Sequence, residues 1–197
     1  ASVNLNGHTI FFYSGKKFSE PNVLTTRALN WFGRAIREDG SSSTMSVFPE
    51  LPSKEVNVLS VNLKNDGTVD GKIRKTYMDH KAYIFRNAYN DVNREDCLDK
   101  IENKFQGMEI SDYKVSNDKT TGKPITEIFE YKLENHADVV GDKIYFSPLF
   151  QFAMVENPFK MDQRSYPIDY AFPWSEKYNL VIAIPEGYKV SSRPEDA

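Results

Sequence analysis

Cysteine, long apolar runs and an excess of charge of one sign are all scarce in this sequence. Its 197 residues include one cysteine, so no internal disulfide can form. No apolar run approaches the ~20 residues of a membrane-spanning helix, and residues 1–7 lack the regions of a signal peptide. With 25 basic against 28 acidic residues, the net charge is −3. We therefore expect neither a membrane span nor binding to nucleic acid.

Motifs for phosphate, metal or glycosidase chemistry are missing as well. The sequence has no glycine-rich phosphate loop, and His8, His80 and His136 are scattered without a metal-ligand spacing such as His-x-x-x-His. No motif selects a pair of carboxylates from the 28 acidic residues. We predict no metal and no cofactor.

Aromatic residues are plentiful, and their alternation with polar residues favours β-strands. Turn residues between alternating runs predict three hairpins, at residues 3–12, 55–78 and 108–133. Two short helices are expected within Asp79–Phe105, the first capped by Asp79 and the second by Asp91 or Asn93.

The stretch Lys143–Val190 completes the fold. It contains a predicted strand at Lys143–Ser147, a proline-rich connection at residues 157–173 and a final strand at Lys177–Ile184. Even-numbered residues give the last strand an apolar face, which we expect to lie in the core. Truncation of Ile182 to Ala would then create a cavity and is expected to lower the free energy of unfolding by ~2–5 kcal/mol.

We predict a mainly β fold, an antiparallel β-sandwich over about Ser53–Ala197 with two short helices inserted. Residues 1–52 are expected to be loops with one strand at Met45–Phe48, a remnant of a preceding domain packed on the sheet. The predicted core consists of Leu59, Val61, Leu63, Ile73, Tyr77, Phe129, Tyr131, Ile144, Phe146, Tyr178, Leu180, Ile182 and Ile184.

Cys97 and His136 are the candidates for catalysis, because a thiolate nucleophile needs a neighbouring base. The alternative is that Cys97 is a small buried hydrophobe, since it shares a helical stripe with Ile101 and Phe105. The sequence leaves both interpretations of Cys97 open. The runner-up function is a thiol-dependent enzyme that uses Cys97 and His136.

Aromatic and charged residues outside the strands provide the binding and structural candidates. Trp31, Trp174 and Tyr170 could form a platform for a sugar or peptide, or pack between elements. Arg164 is suited to hold the carboxylate of Asp169 or Asp162, or neighbouring carbonyls, in a structural clamp, and the alternative is a solvated surface side chain.

Three segments carry a family pattern. They are Asn30-Trp31-Phe32-Gly33-Arg34 with Asp39-Gly40-Ser41-Ser42; Asp66-Gly67-Thr68-Val69-Asp70-Gly71-Lys72 with Tyr77 and Ala82-Tyr83-Ile84-Phe85-Arg86; and Asn157-Pro158-Phe159 with Arg164-Ser165-Tyr166-Pro167-Ile168-Asp169-Tyr170 and Ile184-Pro185-Glu186-Gly187-Tyr188. Together they resemble the C-terminal part of large bacterial transglutaminase-like proteins, in which domains of unknown function flank a papain-like core.

This resemblance implies a catalytically incomplete piece. In the family, a strand near the end of the core carries the aspartate of the triad, whereas here Tyr13 or Ser14 stands near its place. The resemblance further implies docking on an upstream core of the same parent chain, and export to the periplasm or cell surface. We expect a non-catalytic accessory or interaction domain that is not itself an enzyme, with a cell-surface polymer or protein as a further partner.

Overall fold

The computed structural model describes residues 1–49, 51–105, 107–149, 152–154, 156–161 and 163–193. The strands are β1 Ser2–Leu5, β2 His8–Phe11, β3 Phe32–Ile36, β4 Ser42–Ser46, β5 Ser53–Leu63, β6 Val69–Tyr77, β7 Met108–Ser116, β8 Ile125–Leu133, β9 Asp138–Val140, β10 Lys143–Tyr145 and β11 Trp174–Ala183. The helices are α1 Asp79–Tyr89 and α2 Arg94–Lys104, with a short 3-10 turn at Thr26–Ala28. The fold is mainly β with two helices, as predicted, and is consistent with a sandwich-like arrangement.

A five-stranded sheet with the order β11-β5-β6-β8-β7 forms the centre. The pairs β5–β6, β6–β8 and β7–β8 are antiparallel, which confirms the second and third predicted hairpins. β11 instead runs parallel to β5, with Trp174 opposite Ser53 and Ala183 opposite Asn62. The strands of a parallel pair need a long connection, and residues 64–173 separate β5 from β11 along the chain.

One face of this sheet is buried under α2. Leu59, Ile73 and Phe129 are almost fully buried and share a cluster with Cys97 of the helix. Every predicted core residue up to Leu180 is buried or half-buried, but Ile182 and Ile184 are 37% and 45% exposed. Their assignment to the core was wrong, because β11 is an edge strand with a neighbour on one side. Ile182→Ala would therefore leave no enclosed cavity, and the predicted ~2–5 kcal/mol loss does not apply.

The two helices begin in different ways. Asn93 accepts a hydrogen bond from the amide of Asp96 at 2.8 Å, so it is the cap of α2. Asp79 makes no side-chain capping bond, which corrects its predicted role. The buried hydroxyl of Ser53 acts in its place: it donates to the Met78 carbonyl at 2.7 Å and accepts from the Lys81 amide at 2.9 Å. The first residue of β5 thus caps α1.

Residues 1–52 contain two hairpins. The turn between β1 and β2 has positive φ at Asn6 and Gly7, as a type I′ turn requires, which confirms the first predicted hairpin. β3 and β4 form a second hairpin where loops and one strand at Met45–Phe48 were predicted. The predicted strand begins three residues earlier and spans Ser42–Ser46, and the prediction of loops was wrong at Phe32–Ile36. Another small hairpin joins β9 to β10, and the strand predicted from Lys143 is shorter than expected and lies outside the central sheet.

The N-terminal part packs on the rest through a small apolar cluster. Leu24 and Leu29 contact Phe172, from the connection before β11. Phe172 also stacks on the ring of His80 in α1, with ring centroids 4.7 Å apart. These contacts join the N-terminal residues to α1 and to the connection before β11; the division into a remnant at residues 1–52 and a domain at 53–197 stays a prediction.

Candidate functional site

An apolar groove of about 620 Å³ lies among the first four strands. Its large side chains are highly exposed: Trp31 is 73% exposed, Phe32 61% and Ile36 78%. The other apolar side chains that line it include Phe11, Phe12, Tyr13, Met45 and Val47. An exposed, concave surface with this many aromatic residues is a candidate binding site in the described part of the chain.

The alternation of β3 explains why these residues are exposed. Phe32, Arg34 and Ile36 point to the open side, while the small residues Gly33 and Ala35 face the other side and are half-buried. Phe32 packs edge-on against Phe48 at 5.8 Å between ring centroids. The strand thus puts its large side chains on the surface, which is the reverse of a normal amphipathic strand.

The charged groups at the groove are positive. Among the described residues, Arg27 and Arg34 contribute to its lining, and no aspartate or glutamate does. Two hydrogen bonds from Arg34, 2.8 and 3.1 Å long, reach the hydroxyl of Ser42, so this guanidinium is fixed on β4. The groove therefore suits an apolar ligand surface that also carries carboxylates.

A second group of polar residues lies on the buried face of the sheet. Glu55 accepts from Lys75 at 3.0 Å and from Lys81 at 3.2 Å, and Lys81 also reaches Glu176 at 2.7 Å. Burial alone would raise the pKa of Glu55, but the two ammonium groups outweigh it and lower the pKa. Tyr178 donates to Glu176 at 2.9 Å. These groups neutralise one another.

Asn57 lies between Glu55 and Leu59 along β5 and is fully buried. By sheet register it is opposite Lys75 on one side and Tyr178 on the other. Neither atom of its amide has a hydrogen-bond partner among the described residues.

A third polar group surrounds Glu127. Its carboxylate accepts from the hydroxyls of Tyr77 at 2.7 Å and Tyr113 at 2.9 Å. Burial and then the charge of Glu127 raise the pKa of both phenols. Both tyrosines are buried and hold a carboxylate in place, which is the pattern of a satisfied structural network.

The predicted catalytic residues lie in apolar surroundings. Cys97 is 6% exposed and packs in the core with Ile101 and Phe105. Burial raises the pKa of the Cys97 thiol, opposite to what a nucleophile needs. His136 lies edge-on to Phe146 at 6.3 Å, and burial lowers its pKa. These surroundings favour the alternative in which Cys97 is a buried hydrophobe.

The predicted aromatic platform is divided. Trp31 lines the groove, whereas Trp174 and Tyr170 do not. Those two rings contact each other edge-on at 6.5 Å, and the ammonium of Lys81 lies 5.1 Å from the centre of the Trp174 ring. The ring of Trp174 thus makes a cation–π contact with Lys81.

Arg164 and Asp169 have separate partners. The exposed Arg164 guanidinium lies 4.7 Å from the centre of the Phe159 ring. Asp169 accepts from the side chain of Asn30 and from the amide of Ala171. Arg164 therefore matches the solvated alternative. Asp162, the other carboxylate considered for it, lies outside the described residues.

A buried arginine that does act as a clamp was not predicted from the sequence. Arg86 of α1 is 1% exposed and binds Glu20 and the turn between β7 and β8. In the sequence, Arg86 is a charged residue directly after Phe85, which shares an apolar helix face with Ala82. Periodicity alone does not distinguish a buried arginine at this position from a solvated one.

Among the described residues, no group of three or more His, Cys, Asp or Glu side chains is placed to hold a metal ion. None of the described helices has the length and apolar character to cross a bilayer.

Comparison with known proteins concerns the end of the chain. No curated protein and no solved structure matches the sequence. Residues 142–197 match the family DUF3858, described as a domain of unknown function with a solved structure. The match begins one residue before β10 and includes β11. The C-terminal part of this chain is therefore similar to that domain of unknown function.

Proposed function

We propose that this chain is a non-catalytic interaction module that docks, through the groove around Trp31, on the transglutaminase-like core of an exported parent protein. The observation that carries the proposal is the exposure of Trp31, Phe32 and Ile36, all of which line the groove. Tryptophan, phenylalanine and arginine are enriched at the centres of protein interfaces, where acidic residues are depleted. The groove has this composition.

A protein surface fits the groove better than a sugar polymer does. Sugar hydroxyls need both donors and acceptors, and the charged side chains of the groove, Arg27 and Arg34, only donate. An apolar ridge flanked by carboxylates would bury the aromatic rings and pair with both arginines. The papain-like core as partner, and the export, rest on the resemblance of the three sequence segments.

The test uses the complete reading frame that encodes this chain. Where it encodes a papain-like core, the purified core is titrated with the chain by isothermal calorimetry. Trp31→Ala should weaken binding by about 2 kcal/mol, or ~30-fold in Kd, as expected of a central aromatic residue. Val140→Ala is the matched control, because this residue is 63% exposed but does not line the groove.

Three results would contradict the proposal. A reading frame without a papain-like core would exclude the named partner. Equal affinities for Trp31→Ala, Val140→Ala and the unmodified chain would exclude the groove. Binding of a purified cell-wall polymer that Trp31→Ala abolishes would replace the protein partner with a polymer.

A further inference from the structure

The outer edge of β11 is open. Within the described part of the chain, β11 is hydrogen-bonded to β5 alone and is the last strand on its side of the sheet. It is ten residues long, which corresponds to ~33 Å of unpaired backbone donors and acceptors on the other side. Such an edge is a template for pairing with another strand.

The opposite edge strand, β7, is built differently. Its pairing with β8 is interrupted between Ser111 and Lys114, and Asp112 there has a positive φ of 41°. Lys114 and Asp112 form an exposed ion pair at this irregularity. Bulges and charges of this kind block pairing at an edge. In contrast, β11 continues without a register shift along its whole length.

The second half of β11 is apolar and exposed. Val181 is 66% exposed and Ile182 is 37% exposed, and Ile184 follows at 45%. The charged residues, Glu176 and Lys177, lie in the first half. Uncharged, β-branched residues on an open edge favour strand addition.

We propose that β11 pairs antiparallel with β11 of a second copy of this chain, which joins two five-stranded sheets across a two-fold axis. With the axis at Val181, each Val181 lies beside its own counterpart, and Leu180 lies opposite Ile182. The two Lys177 side chains are then eight residues apart along the strands, or ~27 Å. The apolar half is thus complementary to itself, as an isologous interface requires.

Sedimentation equilibrium of the unmodified chain over a range of concentrations tests this pairing. The expected result is a monomer–dimer equilibrium. Val181→Lys would place two ammonium groups side by side on the axis and should weaken dimerisation more than ~100-fold, because like charges in contact cost several kcal/mol. Ser116→Lys, an exposed substitution on the opposite edge strand β7, is the matched control and should leave the dimer intact.

Cysteine substitution tests the register and does not depend on how Val181→Lys folds. Val181→Cys should form a disulfide-linked dimer on mild oxidation, because antiparallel neighbours bring the two sulfur atoms within bonding range. Asn179→Cys should not, since it lies opposite Ala183. A chain that is monomeric at all concentrations, a dimer that survives Val181→Lys, or equal cross-linking at 179 and 181 would each overturn the proposal.

Discussion

Arg86→Ala tests whether one buried side chain ties three parts of the molecule together. The side chain of Arg86 has no exposed surface. One nitrogen donates to Glu20 at 2.7 Å, and the other donates to the carbonyl oxygens of Thr120 and Lys123, each at 2.6 Å, and of Asn117 at 3.3 Å. The variant would release both the N-terminal residues and the β7–β8 turn from α1.

The size of the loss follows from these contacts. A hydrogen bond to a charged group contributes about 1.5–3 kcal/mol, and removal of one partner from a buried ion pair costs about 3–5 kcal/mol. The side chain of Glu20 is 19% exposed, so water replaces part of what it loses. We expect Arg86→Ala to lower the free energy of unfolding by about 3–5 kcal/mol. Arg86→Lys should lose less, since an ammonium can pair with Glu20 but cannot span the turn carbonyls.

Urea unfolding followed by circular dichroism measures the loss, and hydrogen exchange locates it. Arg86→Ala should increase exchange in residues 16–23 and 117–124, whereas Glu20→Gln should do so in the first segment alone. Lys114→Ala removes an exposed ion pair and should leave the urea midpoint unchanged. If Arg86→Ala shifted the midpoint no more than Lys114→Ala, the clamp would be refuted.

Two further predictions concern the buried ionisable groups. The pKa of Glu55 is lowered in the folded state, so its contribution to stability is present above the unfolded value of about 4.3 and is lost as pH falls through the folded value. Glu55→Gln, which leaves Lys75 and Lys81 without this carboxylate, should therefore be much less stable than the unmodified chain at neutral pH. The difference in stability between Glu55→Gln and the unmodified chain should shrink at acidic pH. Urea midpoints that differ by the same amount at neutral and at acidic pH would contradict this prediction. The thiol of Cys97, packed beside Ile101, should react with Ellman's reagent far more slowly in buffer than in concentrated urea; equal rates would reopen the thiol-enzyme interpretation.

Strand periodicity predicted the central sheet, since the buried face of β5, β6 and β8 alternates regularly. Prediction from periodicity failed where apolar side chains are exposed and small residues are turned inward. β3 exposes Phe32 and Ile36 and turns Gly33 inward, so the strand has no apolar inner face to detect. Ile182 has the correct parity for the core, but its position on an edge strand depends on a parallel pairing that local sequence does not encode.

The groove and the polar clusters were only partly predictable, for a related reason. Trp31 was identified as a candidate because exposed loops with tryptophan suggest binding. The placement of Glu127 on the buried parity of its strand was also visible in the sequence. Its two tyrosine partners come from β6 and β7, and such partners across a sheet are fixed by tertiary pairing alone.

The parallel pairing of β11 with β5 has a consequence for the order of folding. The hairpins β5–β6 and β7–β8 close short loops, whereas Trp174 must find Ser53 across more than a hundred residues of chain. Closure of so long a loop is entropically costly, and such contacts form slowly. The antiparallel strands therefore provide the template, and β11 is added to it late. Residues 142–197, which match the family, hold this late strand but not β5, so we expect this segment to fold only together with the earlier strands.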